Sequence, residues 1–333
     1  MIKLGVIGTN WITQQFVEAV QTLKEYDFTS VYSRKVETAE EFASKNGASN
    51  TYTDLKEFFS SDNFDTVYIA SPNSLHFDQA KQAIENGKNV IVEKPAFANQ
   101  KQMAEFQTLL ASHPEVKFFE AARNIHTANF HSIEDQMAKM AGISGAEFTY
   151  SKYSSRYDKV LAGEEPNVFS LKFAGGALQD LGVYTVYDAV TLFGLPEEVA
   201  YFPKLVATGV DGKGTAILKY SKFVVTLNFS KMSNSQMTSE IAGLKDFIEI
   251  DDAGEITEVS YHDADGNRQV IGNSNKENPM IEEAIDFAKV IDNPEDSEMQ
   301  RLYKYWNQLS INVNKVLFNL RQDANIVFVD EEK

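Results

Sequence analysis

The stretch Ile2-Lys3-Leu4-Gly5-Val6-Ile7-Gly8-Thr9-Asn10-Trp11-Ile12-Thr13 decides the fold. Six mostly apolar residues end at a glycine, and from Trp11 to Leu23 apolar residues recur at helical spacing, so the segment reads strand, turn, helix. Amides at the start of a helix, together with its dipole, favour a bound pyrophosphate. Against the spacing G-x-G-x-x-G only Gly8 survives, with Asn10 and Thr13 in the other two positions. The turn alone therefore fits a phosphate cradle and an ordinary strand-turn-helix equally. Asn10 tolerates a left-handed backbone better than most residues, which keeps close backbone approach open.

The pattern repeats downstream. Strands are expected near residues 28–33, 65–70, 89–93 and 116–120, and helices near 38–46, 55–59, 77–85 and 100–110. Thr38 and Glu41 have capping-box spacing. After about residue 121 the texture changes to alternating segments such as Phe223-Val-Val-Thr-Leu-Asn-Phe229, with Asp211-Gly212, Ala253-Gly254 and Asp265-Gly266 as turn signals. Helices are expected over 130–140, 177–193, 281–291 and 299–320, and a last strand over 326–329. The expected fold is α/β, with an N-terminal Rossmann doubly wound parallel sheet over residues 1–121. An α+β domain with an open, mainly antiparallel sheet follows over residues 122–333, for substrate binding and oligomerisation. An antiparallel sheet covered on one face leaves Ile217 to Tyr220 and Phe223 to Phe229 needing cover, so a two-fold homodimer is expected.

The chain has 333 residues, 31 Lys and Arg against 48 Asp and Glu, and a formal charge of −17. Such a charge repels nucleic acid and anionic membranes, leaving a small molecule as the expected partner. There is no cysteine, which excludes a disulfide framework, a thiolate metal site and a cysteine nucleophile. His126 and His131 lack metal-binding spacing, and Asp263-Ala-Asp-Gly-Asn267 lacks the closing ligands of a calcium loop, so no metal is expected. No run reaches the ~20 apolar residues of a membrane span. The N-terminus has no secretory pattern, and a cytoplasmic location is expected.

The second strand ends Tyr32-Ser33-Arg34-Lys35, where an NAD-specific fold places a carboxylate on the ribose hydroxyls. A guanidinium and a hydroxyl there suit a 2′-phosphate, so NADP is the expected cofactor, with NAD possible as a second. Asp180 and Tyr184 are four apart in a helical pattern and share a face. Gly182 between them lowers helix stability by about 1 kcal/mol, which points to close approach of another group.

Three motifs, Ser71-Pro-Asn73-Ser-Leu-His76, Gly87-Lys-Asn-Val-Ile-Val-Glu93-Lys94-Pro95 and Gly175-Gly-Ala-Leu-Gln-Asp180-Leu-Gly-Val-Tyr184, resemble the glucose-fructose oxidoreductase, inositol dehydrogenase and rhizopine-catabolism family. The resemblance runs through nearly the whole chain. It implies a dinucleotide over Gly8, Thr9, Asn10, Trp11 and Ile12. Its adenosine end would lie at Ser33 and Arg34, and its nicotinamide near Ser71, Asn73, His76, Glu93 and Lys94. It also implies Lys94, Asp180 and Tyr184 as the catalytic set in an NAD(P)-dependent dehydrogenase acting on a sugar, polyol or diol. Many members carry histidine at Tyr184; tyrosine there resembles the branch with glucose-fructose oxidoreductase and dimeric dihydrodiol dehydrogenase. Around Glu120-Ala-Ala-Arg123-Asn-Ile125-His126 many relatives place an arginine where this chain has Ile125, so the substrate pocket is expected to differ there. A non-catalytic dinucleotide-binding sensor and an NAD-dependent glycosidase are the other readings the resemblance permits.

Overall fold

Six strands, β1 (Ile2–Ile7), β2 (Tyr26–Tyr32), β3 (Asn50–Tyr52), β4 (Thr66–Ile69), β5 (Asn89–Glu93) and β6 (Phe118–Ala121), form a wholly parallel sheet in the computed structural model. The structure describes residues 1–274 and 276–331. The order β3-β2-β1-β4-β5-β6 reverses direction between β1 and β4, the point at which doubly wound sheets open a ligand crevice. The connections are α1 (Trp11–Gln21), α2 (Val36–Asn46), α3 (Leu55–Ser60), α4 (His76–Glu85) and α5 (Gln100–Ala111). Strand β4 is buried along its whole length, as a strand with both faces covered must be.

The second sheet comprises β7 (Gly145–Ser151), β8 (Glu198–Leu205), β9 (Asp211–Lys219), β10 (Val224–Ser230), β11 (Ser239–Ala242), β12 (Phe247–Ile250), β13 (Val259–His262) and β14 (Arg268–Gly272). Its order is β14-β13-β12-β11-β7-β10-β9-β8, antiparallel throughout except for β7 beside β10. Alternation along the strands buries Phe148, Tyr150, Leu218, Val225, Leu227 and Phe229 on one face. The other face carries Glu147, Phe202, Thr215, Ile217 and Thr226. Helices α6 (Ala128–Met137), α7 (Tyr157–Leu161) and α8 (Val183–Phe193) belong to the same unit, followed in the chain by α9 (Ile281–Asp292) and α10 (Ser297–Asp323).

The two compact units are Met1–Ala121 with Lys276–Ser310, and Ala122–Asn275 with Ile311–Lys333. Residues 276–310, read from sequence as part of the second domain, thus belong to the first. The reason is an apolar stripe at α9, where Met280 before the helix and Ala284, Phe287 and Ala288 within it join the core around β1 and β2. Phe287 stacks on Phe119 at 4.7 Å between ring centroids.

Three local expectations are corrected. Asp211-Gly212 is not a turn, because β9 begins at Asp211 and the reversal falls at Gly209, whose φ is +88°. Residues 326–329 form no strand; the tail is held by buried Arg321, which donates to Ile326 O (2.9 Å) and to both carboxylate oxygens of Glu331 (2.9 and 2.7 Å). Helix α2 begins at Val36, capped by Lys35 without a side-chain bond, so Thr38 lies inside the first turn and not at a capping box.

His76 braces the carboxyl ends of β4 and β5 from within. It has no exposed surface, and its ring nitrogens meet Pro95 O at 3.1 Å and Ser71 O at 2.9 Å. Burial lowers the pKa of the imidazole, which the backbone carbonyls oppose.

The unfolded chain takes up a proton at His76 near the ordinary histidine value of about 6.5 while the folded chain resists. The stability contributed by the neutral ring is present above that pH and is lost as pH falls below it. Urea titrations at pH 7.5 and 5.5 should show a smaller acid-side loss for His76→Gln than for the unaltered protein. Phe287→Ala should cost about 3–5 kcal/mol in the same assay, as for other large aromatic truncations in a core, although Phe287 lies 168 residues from its stacking partner Phe119.

Candidate functional site

At the end of β1 the backbone of Gly8 has φ +104°, and a Cβ there would lie 2.8 Å from Ala70 O. Only glycine fits. Asn10 is not left-handed, as its residue type allowed; it has extended φ −84° and ψ 179° and caps α1. Its Oδ1 accepts from Ile12 N (2.9 Å) and Thr13 N (3.2 Å), while its Nδ2 donates to Ala70 O (2.8 Å). Thr13, in the third glycine position, is fully buried, Thr9 and Ile12 are half-buried, and Trp11 is 72% exposed. The cradle that a Cβ would fill, at the opening of a helix beside the strand-order reversal, fits a dinucleotide pyrophosphate.

Ser33 follows β2 and donates its amide to Tyr52 O (3.1 Å), and Arg34 is exposed beside it. The Tyr32 phenol is pushed up by burial, with the Arg34 guanidinium opposing, which places that cation close to the strand end. Helix α2 starts directly afterwards with no side-chain cap, so its first amides are not taken by Lys35. A guanidinium, a hydroxyl and an uncapped helix start suit a phosphate.

Beyond β4, Ser71 Oγ donates to Gln79 Oε1 (2.7 Å), and half-buried Asn73 opens a short 3-10 turn ending at Leu75. Beyond β5, Lys94 is half-buried. Glu93 is buried and accepts from Tyr68 Oη (2.6 Å), whose ring stacks on Phe16 at 3.9 Å. His76 and Glu93, both expected beside the nicotinamide, thus sit inside the first unit and support the backbone that carries Ser71 and Lys94. Gln79 was missed by sequence reading, since a lone glutamine in a helix carries no signal of its own.

In the second unit, Asp180 lies in a widened turn, a π-helix over Leu178–Gly182, which runs into α8 carrying Tyr184. Such turns concentrate at functional sites. A Cβ on Gly182 would meet the Phe229 ring at 3.0 Å, which is the close approach that the glycine implied. The Gly175-Gly176 pair seats a buried acid: Asp211 Oδ2 accepts from Leu178 N and Tyr201 Oη, each at 2.6 Å. A Cβ on Gly176, with its φ of +125°, would overlap Asp211 Oδ1.

Asp180 Oδ2 lies 2.5 Å from Lys231 Nζ. Lys231 was missed, although a signal existed: it continues the buried alternation of Val225, Leu227 and Phe229 on β10. Tyr184, 5% exposed, packs edge-on to Tyr150 at 5.5 Å, and the Arg123 guanidinium lies 5.5 Å from its ring centroid. Arg123 is itself 5% exposed and pairs with Glu255 at 2.8 Å. Burial, followed by the neighbouring Tyr184 and Glu255, pushes the Tyr150 phenol up, with Arg123 opposing. Asn124 donates to Tyr184 O (3.3 Å) and Asp188 Oδ1 (2.7 Å), and burial lifts the Asp188 carboxyl well above the ordinary range. Each unit thus gathers its own share of the expected residues: Gly8 to Ile12, Ser33, Arg34, Ser71, Asn73 and Lys94 in the first, Asp180 and Tyr184 in the second.

Among the described residues, no helix is long and apolar enough to cross a membrane, and no three His, Asp or Glu side chains gather as a metal site. Residues 2–121 match the family described as oxidoreductase, NAD-binding Rossmann fold. The chain is 40% identical to an uncharacterised oxidoreductase of Escherichia coli (strain K12) over 88% of this chain and 89% of that one. It is 36% identical to the scyllo-inositol 2-dehydrogenase (NADP(+)) of Bacillus subtilis (strain 168) over 98% of both chains. It is 28% identical to a trans-1,2-dihydrobenzene-1,2-diol dehydrogenase of Xenopus tropicalis over 74% of both. The same fold occurs in a 3-ketoreductase from Actinomadura kijaniata, crystallised with NADP and TDP-benzene, at a TM-score of 0.84, 18% identity and 97% coverage of both chains. This chain belongs to the glucose-fructose oxidoreductase, inositol dehydrogenase and rhizopine-catabolism family of oxidoreductases with an NAD-binding Rossmann fold.

Proposed function

We propose that this protein is an NADP-dependent dehydrogenase/reductase that transfers a hydride to or from the carbonyl or hydroxyl carbon of a sugar, polyol, diol or related small molecule. The likeness to an NADP-dependent inositol dehydrogenase over 98% of both chains supports the reaction class. When bound, the nicotinamide supplies the hydride donor or acceptor. Gly8, Thr9, Asn10, Trp11 and Ile12 hold the pyrophosphate, Ser33 and Arg34 take the 2′-phosphate, and Ser71, Asn73 and Lys94 serve the nicotinamide end.

One observation carries the chemistry: Tyr184 is almost wholly buried, with the Arg123 guanidinium 5.5 Å from its ring. A phenol that gives up a proton and takes it back needs positive charge nearby. Tyr184 donates a proton to the carbonyl oxygen in reduction and takes the hydroxyl proton in oxidation, with Lys94 as a further cation. Asp180 accepts a hydrogen bond from a substrate hydroxyl and so orients the reacting carbon.

Purified protein screened with NADP and NAD against scyllo-inositol, other polyols, sugars and diols should show nicotinamide absorbance changes, faster with NADP. Tyr184→Phe should keep its fold and cofactor binding while turnover falls by ~10²–10⁴. Unaltered turnover in that variant removes the proton-transfer role, and binding without turnover of any substrate favours the sensor reading. Arg34→Ala should weaken NADP binding far more than NAD binding in fluorescence titrations, and equal affinities in the unaltered protein would overturn the preference.

A further inference from the structure

Lys231 is 1% exposed in a chain where acids outnumber basic residues 48 to 31. Its main chain is fixed on both sides, the amide donating to Gly212 O (2.8 Å) and the carbonyl accepting from Ser154 N (2.9 Å). Its ammonium meets Asp180 Oδ2 at 2.5 Å and Val168 O at 3.1 Å, and stands 4.5 Å from the centroid of the Phe169 ring. Three N–H groups thus have three protein partners, two oxygens and an aromatic face. A buried ammonium is tolerated only with such compensation.

The pair is lopsided in a way that a purely structural ion pair has no need to be. The side chain of Lys231 is 2% exposed, whereas that of Asp180 is 38% exposed. The cation is sealed in, and the carboxylate it anchors keeps open surface. A second acid, Asp211 of β9, also feels Lys231, but burial pushes its carboxyl up, against the Tyr201 and Leu178 hydrogen bonds. A carboxyl displaced toward its neutral form competes weakly for the ammonium, and the charge of Lys231 falls to Asp180. The other titratable groups on the surrounding segments include Tyr201 on Asp211, Glu165 on Ser170 (2.6 Å), Tyr157 beside Phe169 (5.8 Å), Lys172 over Phe173 (5.5 Å), Lys213 paired opposite Ser230, Lys152, whose amide donates to Ser230 O (2.9 Å), and Tyr184 at the start of α8.

We propose that Lys231 is a positioning residue that keeps Asp180 ionised and fixed, so that it meets substrate as a hydrogen-bond acceptor for a hydroxyl and never as a donor. The inference rests on the reading that Asp180 contacts substrate. It deepens that reading by restricting the group opposite Asp180 to a hydrogen-bond donor, a hydroxyl in the substrates proposed above, since a substrate carboxylate there would face like charge.

The test uses the full chain with aspartate labelled by carbon-13 at Cγ, the Asp180 signal being assigned by its loss in Asp180→Asn. In the unaltered protein Asp180 should titrate below the ordinary aspartate value of about 3.9. Lys231→Met should raise the midpoint by about one pH unit or more, and Lys231→Arg, which keeps the charge, should leave it close to the parent. With scyllo-inositol and NADP, Lys231→Met should raise KM roughly tenfold with kcat nearly kept, and the acid limb of kcat/KM should move upward with the Asp180 midpoint. An unmoved midpoint in folded Lys231→Met overturns the proposal. If that variant does not fold, a midpoint at or above about 3.9 in the unaltered protein overturns it equally. A shifted midpoint without turnover of any substrate upholds the hold of Lys231 on Asp180 and overturns the reaction assigned above.

Discussion

The Ala70 carbonyl, just beyond the carboxyl end of β4, constrains the β1–α1 turn of the first unit from across the sheet. It accepts from Asn10 Nδ2 at 2.8 Å and lies 2.8 Å from where a Cβ on Gly8 would be. One oxygen therefore dictates both a glycine and an amide side chain in the β1–α1 turn, and ties that turn to the strand across the order reversal. Asn10 stands where the dinucleotide fingerprint has one of its glycines, and it works there in extended conformation as a cap of α1. The loops after β4 and β5, which carry Ser71, Asn73 and Lys94, are linked in turn through His76.

The second unit relies on a different device, buried cations with partly open partners. Lys231 holds Asp180 and Arg123 holds Glu255; in each pair the base is sealed and the acid keeps surface. Buried pairs contribute little net stability, but they limit which arrangements a site can take. Asn124 adds a neutral constraint by joining the backbone of Tyr184 to Asp188 one helical turn further on. Arg123, Asn124 and Lys231 all act through a residue that the family resemblance already marked.

The parallel sheet was legible because its strands are short apolar runs separated by helical periodicity, a signal that survives the loss of two fingerprint glycines. Motif and spacing single out Asp180 and Tyr184 in the sequence, but not the side chains that the structure packs against them. Arg123 lies 61 residues from Tyr184 and Lys231 lies 51 residues from Asp180, in no periodic relation to either, so only tertiary structure reveals those contacts. Lys231 was readable as inward-facing from the phase of β10, but an inward lysine ordinarily marks the end of a strand. The Thr38–Glu41 spacing misled for a related reason: a local capping signal lost to an earlier start at Val36, where the backbone enters the helix directly from β2.

The chain leaves the first unit at Ala121 and returns to it only at Lys276. During synthesis from the N-terminus, the parallel sheet therefore emerges long before the Met280, Ala284, Phe287 and Ala288 stripe that completes its core. The whole of the intervening unit up to β14 is made first. The half-built sheet must wait with an apolar flank uncovered, so the nascent chain's need for protection is set by the order of its segments on the ribosome and not by the stability of the finished protein.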